Sequence, residues 1–234
     1  IGLACAYEFG KRGAKLSLAA RNIVELEKIQ LDMKGHGYDC LISQVDVSKE
    51  SDCKRFAEEV TARYGNVDVL INNAGVSMRA IFNDLDLSVI ERLMAVNFWG
   101  TVYCTKYFYP HLIKAQGSLV GVSSVAGFHG LPARTGYSAS KYAMHGFLET
   151  IRIENLKTGL HVMIAAPGFT ASNVRKNALV ADGSIQGESP REEKKMMSSE
   201  EVARRIADGI VHRKRQLVMD FDGKATIFLK FFAP

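Results

Sequence analysis

The sequence predicts a doubly wound α/β fold built on a parallel sheet, and three observations carry that prediction. Short apolar, β-branched runs alternate with long amphipathic stretches along the chain. The runs are apolar at successive positions rather than at every second one, as strands are when helices cover both faces of a parallel sheet. No internal repeat or low-complexity linker divides the 234 residues, so 1–234 is read as one domain with a single large core.

In chain order, strands are expected at 14–20 (AKLSLAA), 40–47 (CLISQVDV), 67–75 (VDVLINNAG), 118–124 (SLVGVSS), 160–166 (LHVMIAA) and 216–220 (QLVMD). Between them, apolar residues spaced by three and four predict helices over 22–36, 49–64, 86–114, 137–157 and 199–213. Ser198 with Glu201 makes a capping box for the last of these. Residues 172–198 break the pattern. They are polar, contain Gly and Pro and show little periodicity, the marks of a substrate loop or lid.

Composition narrows the classes. A formal charge of +5 is modest, and only Arg204, Arg205 and the HRKR run at 212–215 cluster; these suit a helix C-terminus better than a nucleic-acid surface. Cys5, Cys40, Cys53 and Cys104 are scattered with no C-x-x-C, which argues against a disulfide scaffold or zinc site and suits a cytoplasmic, reducing compartment. The six histidines form no paired motif, so no metal is expected. The sequence shows neither a signal-peptide pattern nor an apolar run of membrane-spanning length, so neither is expected. The closing ATIFLKFFAP is apolar for a terminus, and is read as an oligomer interface or core cover, with membrane-surface contact the alternative.

Chemistry first shows in GYSASKYAMHGF, residues 136–147, where Tyr137 and Lys141 stand one helical turn apart on one face. Alone, such a pair is a snorkelling lysine beside a half-buried tyrosine. The strand ends add more. The strand at 67–75 closes in Asn72-Asn73-Ala74-Gly75, that at 118–124 in Ser123-Ser124, and that at 160–166 runs into Pro167-Gly168. Asn97 lies within a long helical stretch, and Ser124 precedes Tyr137 by thirteen residues. Each element has a bland reading as turn, cap, breaker or buried asparagine. Their combination does not.

With N-N-A-G, the asparagine, the serine, Y-x-x-x-K and P-G in this order, the chain resembles the short-chain dehydrogenase/reductase family over essentially its whole length. The resemblance implies a Rossmann-type fold, a homo-dimer or homo-tetramer, and a catalytic group of Asn97, Ser124, Tyr137 and Lys141. It also implies that Asn97 holds a water linking the lysine to solvent, and that Lys141 and Tyr137 meet the nicotinamide ribose. Asp46 and Val47 would lie at the adenine, Asn73, Ala74 and Gly75 beside the adenosine ribose, and Pro167, Gly168 and Thr170 around the carboxamide. Where the family often has a second threonine, this chain has Ser172.

The family's Gly-rich turn follows its first strand and opens its first helix, so that backbone N–H groups approach the pyrophosphate. This chain starts IGLACAYEFGKRG, with Gly2 matching the end of that turn, so the first strand is expected to be missing from it.

The residue types suit hydride transfer to a carbonyl, or from a secondary alcohol. The oxygen needs a proton, which a phenol delivers, but its ordinary pKa of about 10 makes it a poor base at neutrality. An ammonium at ~4 Å attracts phenolate by roughly 4 kcal/mol at an effective dielectric of about 20, so Lys141 is expected to draw Tyr137 downward. Ser124 would donate to the substrate oxygen.

Cofactor choice is read from the end of the strand AKLSLAA. An acid there would hold both ribose hydroxyls, but the chain has Arg21 and Asn22, and the first carboxylate is Glu25. A guanidinium there suits a 2′-phosphate, so NADP is expected over NAD. Two other readings stand beside the oxidoreductase. One is a non-catalytic dinucleotide-binding sensor or scaffold, which the retained Tyr137 and Lys141 disfavour. The other is a sugar-nucleotide epimerase or dehydratase, which needs more chain than the 67 residues after Pro167. Phe128, His129, Leu131, Arg134 and parts of 169–198 are expected near the substrate, whose identity they leave open.

Overall fold

A computed structural model describes residues 1–171, 174–188 and 196–230. Helix α1 (Gly2–Lys11) leads into strand β1 (Leu16–Ala20), α2 (Ile23–Gly35), β2 (Cys40–Gln44), α3 (Glu50–Tyr64) and β3 (Val69–Asn72). A continuous helical run follows as α4 (Leu87–Leu93), a π-helical turn (Met94–Trp99) and α5 (Gly100–Ala115). Then come β4 (Ser118–Val122), α6 (Thr135–Glu154), β5 (His161–Ala166), α7 (Ser199–Val211), β6 (Gln216–Val218) and α8 (Phe221–Leu229). Every strand and helix expected from the sequence is present, most with trimmed ends, although α6 begins two residues before the expected 137 and α5 ends one residue past the expected 114. Helices α1 and α8 were not among the stretches picked out by periodicity.

The strands pair in parallel, but in two sheets rather than one: β1 with β2, and β3-β4-β5-β6. The expectation of a parallel sheet short of its first strand meets this division between β1 and β3. Helix α1 packs on both parts. Its Ala6 joins Leu16 of β1, its Ala4 and Cys5 join the core of the larger sheet, and Phe9 lies against both clusters.

The strands of the larger sheet show why their sequences are apolar throughout. In β4, Leu119 enters the core formed with α3, α5 and α6, while Val120 and Val122 enter the core with α1 and α7. In β5, Val162 and Ile164 face the first core, and Met163 and Ala165 the second. Alternate residues feed opposite faces, and both faces are covered.

Local chemistry sets the helix ends. Ser198 Oγ accepts from Glu201 N at 3.1 Å, half of the expected capping box. The Glu201 carboxylate instead binds Arg204 and Arg205, so the reciprocal half is not made. Within the expected substrate loop, Leu179 is buried beside Met78, Leu85, Val89 and Leu93, an apolar anchor that weak periodicity concealed. Ser172 lies outside the described residues. So do the last four residues of the apolar terminus; the preceding helix α8 leaves Phe221, Phe228 and Leu229 exposed. No described helix is long and apolar enough to cross a membrane.

Helix α6 approaches β4 closely because Gly121 has no side chain. A Cβ there would sit 2.4 Å from Leu148 Cδ1 and 3.1 Å from Met144 Sδ, both on α6 and fully buried. Gly121→Val should therefore overpack this contact and lower unfolding free energy by about 2–3 kcal/mol. A denaturant midpoint equal to that of wild type would show that α6 does not depend on the glycine.

Candidate active site

The site forms where the carboxyl ends of β3, β4 and β5 meet the first turns of α6. Asn97 organises its floor. It lies on the π-helical turn, a distortion that often marks functional positions, and it is fully buried. Its Oδ1 accepts from Val76 N at 2.8 Å, and its Nδ2 donates to Val76 O and Ser140 Oγ, each at 2.9 Å. Ser140 Oγ donates onward to the Tyr137 carbonyl at 2.8 Å. One amide thus ties the chain after N-N-A-G to the first turn of α6. The side chain is committed to protein groups, and no described hydrogen bond joins it to Lys141. The two meet at Gly75, where a Cβ would stand 3.2 Å from Asn97 Oδ1 and 3.6 Å from Lys141 Nζ.

Ser124 heads a short 3-10 turn, Val125–Gly127, and its Oγ accepts from Ala126 N at 3.3 Å. Its hydroxyl also faces the Tyr137 phenol and lowers its pKa. Tyr137 is half-buried against Met78, Leu179 and their neighbours. Burial raises its pKa above the ordinary value, opposed by the Ser124 hydroxyl and the Arg134 cation. This corrects the expectation that Lys141 draws it down. Lys141 Nζ stands 5.9 Å from the phenol ring centroid and donates to the Val122 carbonyl at 2.9 Å. Helical spacing foresaw their common face but not the loss of hydration, which acts on both groups. The same burial lowers Lys141 itself to about 8.

One turn beyond Lys141, His145 shares a 2.5 Å hydrogen bond with Ser123 Oγ. Burial, then the neighbouring Lys141, pushes its pKa down to about 4, so the ring is neutral at physiological pH. Phe128 packs on the ring at 4.4 Å, and Gly127 leaves room for it, since a Cβ there would fall 2.7 Å from Nε2. The turn carrying Ser124 is therefore seated on α6 by its neighbour Ser123. Neither this pair nor Ser140 was singled out in the sequence, although the i+4 spacing from Lys141 to His145 was a usable signal.

The residues expected around a cofactor fall into three groups. Gly2 and Asn73 touch: a Cβ on Gly2 would lie 2.7 Å from Asn73 Nδ2. Ala74 and Gly75 are exposed beside them. At the ends of β1 and β2, Arg21 is exposed, whereas Asn22 Oδ1 accepts from Glu25 N at 3.2 Å as the cap of α2. Asp46 Oδ1 accepts from Ser48 N and Oγ, and Val47 packs on Gly100. Beyond β5, Pro167 and Thr170 are buried, Thr170 Oγ1 donates to Gly168 O, and Asp220 presses on Gly168 so closely that no Cβ would fit. No described hydrogen bond links Arg21, Asn22, Asp46 or Thr170 to the catalytic group.

The buried ammonium carries a stability cost. A displacement from 10.5 to about 8 corresponds to about 3 kcal/mol at neutral pH, more than the ~1–2 kcal/mol a hydrogen bond returns. Between those values the unfolded chain binds the extra proton, so this cost fades as pH rises through the window. Lys141→Met should be at least as stable as wild type at pH 7 by denaturant unfolding, with the difference closing towards pH 9.5. A variant markedly less stable at pH 7 would contradict this.

Comparison with known proteins agrees with this geometry. A short chain dehydrogenase profile matches residues 1–182. The mouse dehydrogenase/reductase SDR family member 7B is 32% identical over 240 residues, spanning 100% of this chain and 74% of that protein. An Arabidopsis thaliana 11-beta-hydroxysteroid dehydrogenase-like 2 is 40% identical over 176 residues, covering 74% of this chain and 57% of that one. In fold, a Burkholderia phymatum short chain dehydrogenase/reductase in complex with NAD aligns over 98% of this chain and 88% of its own, with a TM-score of 0.88 at 20% identity. A Thermococcus sibiricus alcohol dehydrogenase complexed with 5-hydroxy-NADP covers 92% and 89%, with a TM-score of 0.81 at 23% identity. On the sequence match, and with Asn97, Ser124, Tyr137 and Lys141 gathered at the strand ends, the chain belongs to the short-chain dehydrogenase family.

Proposed function

We propose that this oxidoreductase uses NADPH to reduce a carbonyl, and NADP to reoxidise the corresponding secondary alcohol, with Tyr137 as the acid/base. The observation that carries the reading is the phenol of Tyr137 close enough to the Ser124 hydroxyl for that group to lower its pKa, one turn from a buried Lys141. The residues fit a nicotinamide dinucleotide: Gly2 and Gly75 keep the backbone open beside Asn73 and Lys141, and α1 begins without a side-chain cap on its N–H groups. Bound there, the nicotinamide would supply or accept the hydride.

The chain's own groups do the rest. Ser124 orients the substrate oxygen and donates to it as negative charge develops. Tyr137 gives that oxygen its proton, and its raised pKa keeps the phenol protonated at neutral pH, which favours reduction. Lys141 holds a positive charge below about pH 8 close to Gly75, where it can bind ribose hydroxyls. Asn97 and Ser140 hold the turn bearing Tyr137 in register with the N-N-A-G segment.

Tyr137→Phe should keep the fold and cofactor affinity while lowering turnover at least a thousandfold; activity within tenfold of wild type would remove Tyr137 from the mechanism. In wild type, alcohol oxidation should rise from pH 7 to pH 10 as the phenolate fraction grows, whereas the phenol as acid should sustain carbonyl reduction until about pH 10 and fail only above it. An oxidation optimum at or below pH 7 would count against a phenol of raised pKa.

The 2′-phosphate is assigned to Arg21. It is exposed at the end of β1, and its side chain makes no described hydrogen bond or ion pair. Arg21→Asp should cut kcat/KM with NADPH at least twentyfold and improve that with NADH. Equal efficiency of wild type with both cofactors would overturn the assignment.

A further inference from the structure

Arginines from three segments gather beside Tyr137. Arg134 ends the turn before α6, where its Nη1 donates to Ser77 Oγ at 2.6 Å and to the Met78 carbonyl. Its Nε and Nη2 have no described acceptor, and neither is sealed from solvent. The tether leaves an anchored guanidinium with an open edge. Arg79 follows two residues after Ser77, on a segment bonded to the others through Arg79 N to Leu179 O at 2.8 Å and Ala80 N to Ala133 O at 3.2 Å. Its side chain is exposed and makes no described ion pair or hydrogen bond. Arg175 comes from the loop after β5, with Nη2 donating to Thr170 O at 2.6 Å and the guanidinium over Phe169.

These charges feel one another. Arg79 and Arg175 both disfavour the cationic form of Arg134, while Arg134 favours the Tyr137 phenolate. No described carboxylate pairs with Arg79 or Arg134. Arg79 and Arg134, like charges with no described counter-ion, repel each other, and a ligand carboxylate would offset that repulsion. A fixed guanidinium edge also matches a carboxylate in two parallel hydrogen bonds, which an ammonium cannot do.

We propose that the carbonyl substrate is an oxo acid, its carboxylate held by Arg134 and Arg79 while its carbonyl faces Ser124 and Tyr137. This names the substrate class of the oxidoreductase reading above and rests on it. Hydride from the reduced nicotinamide forms the new C–H bond at the carbonyl carbon. The displaced C=O pair takes the Tyr137 proton, which solvent replaces. The products are a hydroxy acid and oxidised nicotinamide, and the carboxylate is unchanged.

The test compares benzoylformate, acetoacetate and levulinate, each with its methyl ester, using NADPH and NADH. In wild type at least one acid should exceed its ester tenfold or more in kcat/KM, with the acid's KM rising as sodium chloride is added. In Arg79→Ser, an exposed change that spares the fold, that acid-to-ester ratio should fall at least fivefold. Arg134→Lys, keeping the charge but not the fork, should lower it too. Esters reduced as well as acids by wild type, or an unaltered ratio in Arg79→Ser, overturn the inference and leave the oxidoreductase reading standing. No reduction of any of the six compounds by folded, cofactor-binding protein overturns this inference, and the oxidoreductase reading is then judged by the Tyr137→Phe comparison alone.

Discussion

The burial of Lys141 against the end of β4 is the constraint on which the rest of the site depends. The residue is 3% exposed and its ammonium reaches the Val122 carbonyl at 2.9 Å, which requires α6 to lie close to the strand. Gly121 and Gly127 permit that approach, one under Leu148 and Met144, the other under His145. Once the helix is seated, Tyr137 one turn earlier is carried to Ser124, and His145 one turn later is carried to Ser123. A sheet built only for stability would place an apolar side chain here, since burying a charge is costly.

Polar groups that the fold buries are then used to hold loops rather than strands. Asn97 binds Val76 on both its N–H and its carbonyl and passes a hydrogen bond through Ser140 to Tyr137. Arg134 binds the next two residues, Ser77 and Met78. The stretch after N-N-A-G is thus pinned from α6 and from the π-helical turn. Such double attachment keeps a reactive constellation in place without a strand beneath it, the kind of support by which surrounding residues lock a site's geometry.

Electrostatics give the two sides of the site different tasks. On one side of Tyr137 lie Gly2, Asn73 and Gly75, with the buried Lys141 beside them. Across Tyr137, Arg134, Arg79 and Arg175 make the rim basic. The phenol between them is raised by burial and lowered by Ser124 and then by Arg134.

What the sequence determined by itself was everything encoded over short range. Periodicity placed the six strands and the helices between them, because each apolar run answers to a face of the sheet that neighbouring helices cover. Fixed motifs marked Asn97, Ser124, Tyr137 and Lys141, because helical spacing and strand ends constrain where such side chains can go. Helices α1 and α8 escaped, both being short. The division into two sheets, the work of Asn22 as a cap, the Ser123–His145 pair and the gathering of Arg79, Arg134 and Arg175 were decided by tertiary structure. So was the direction of the Tyr137 shift: spacing along a helix says which groups are neighbours, but only packing decides how much water each one loses.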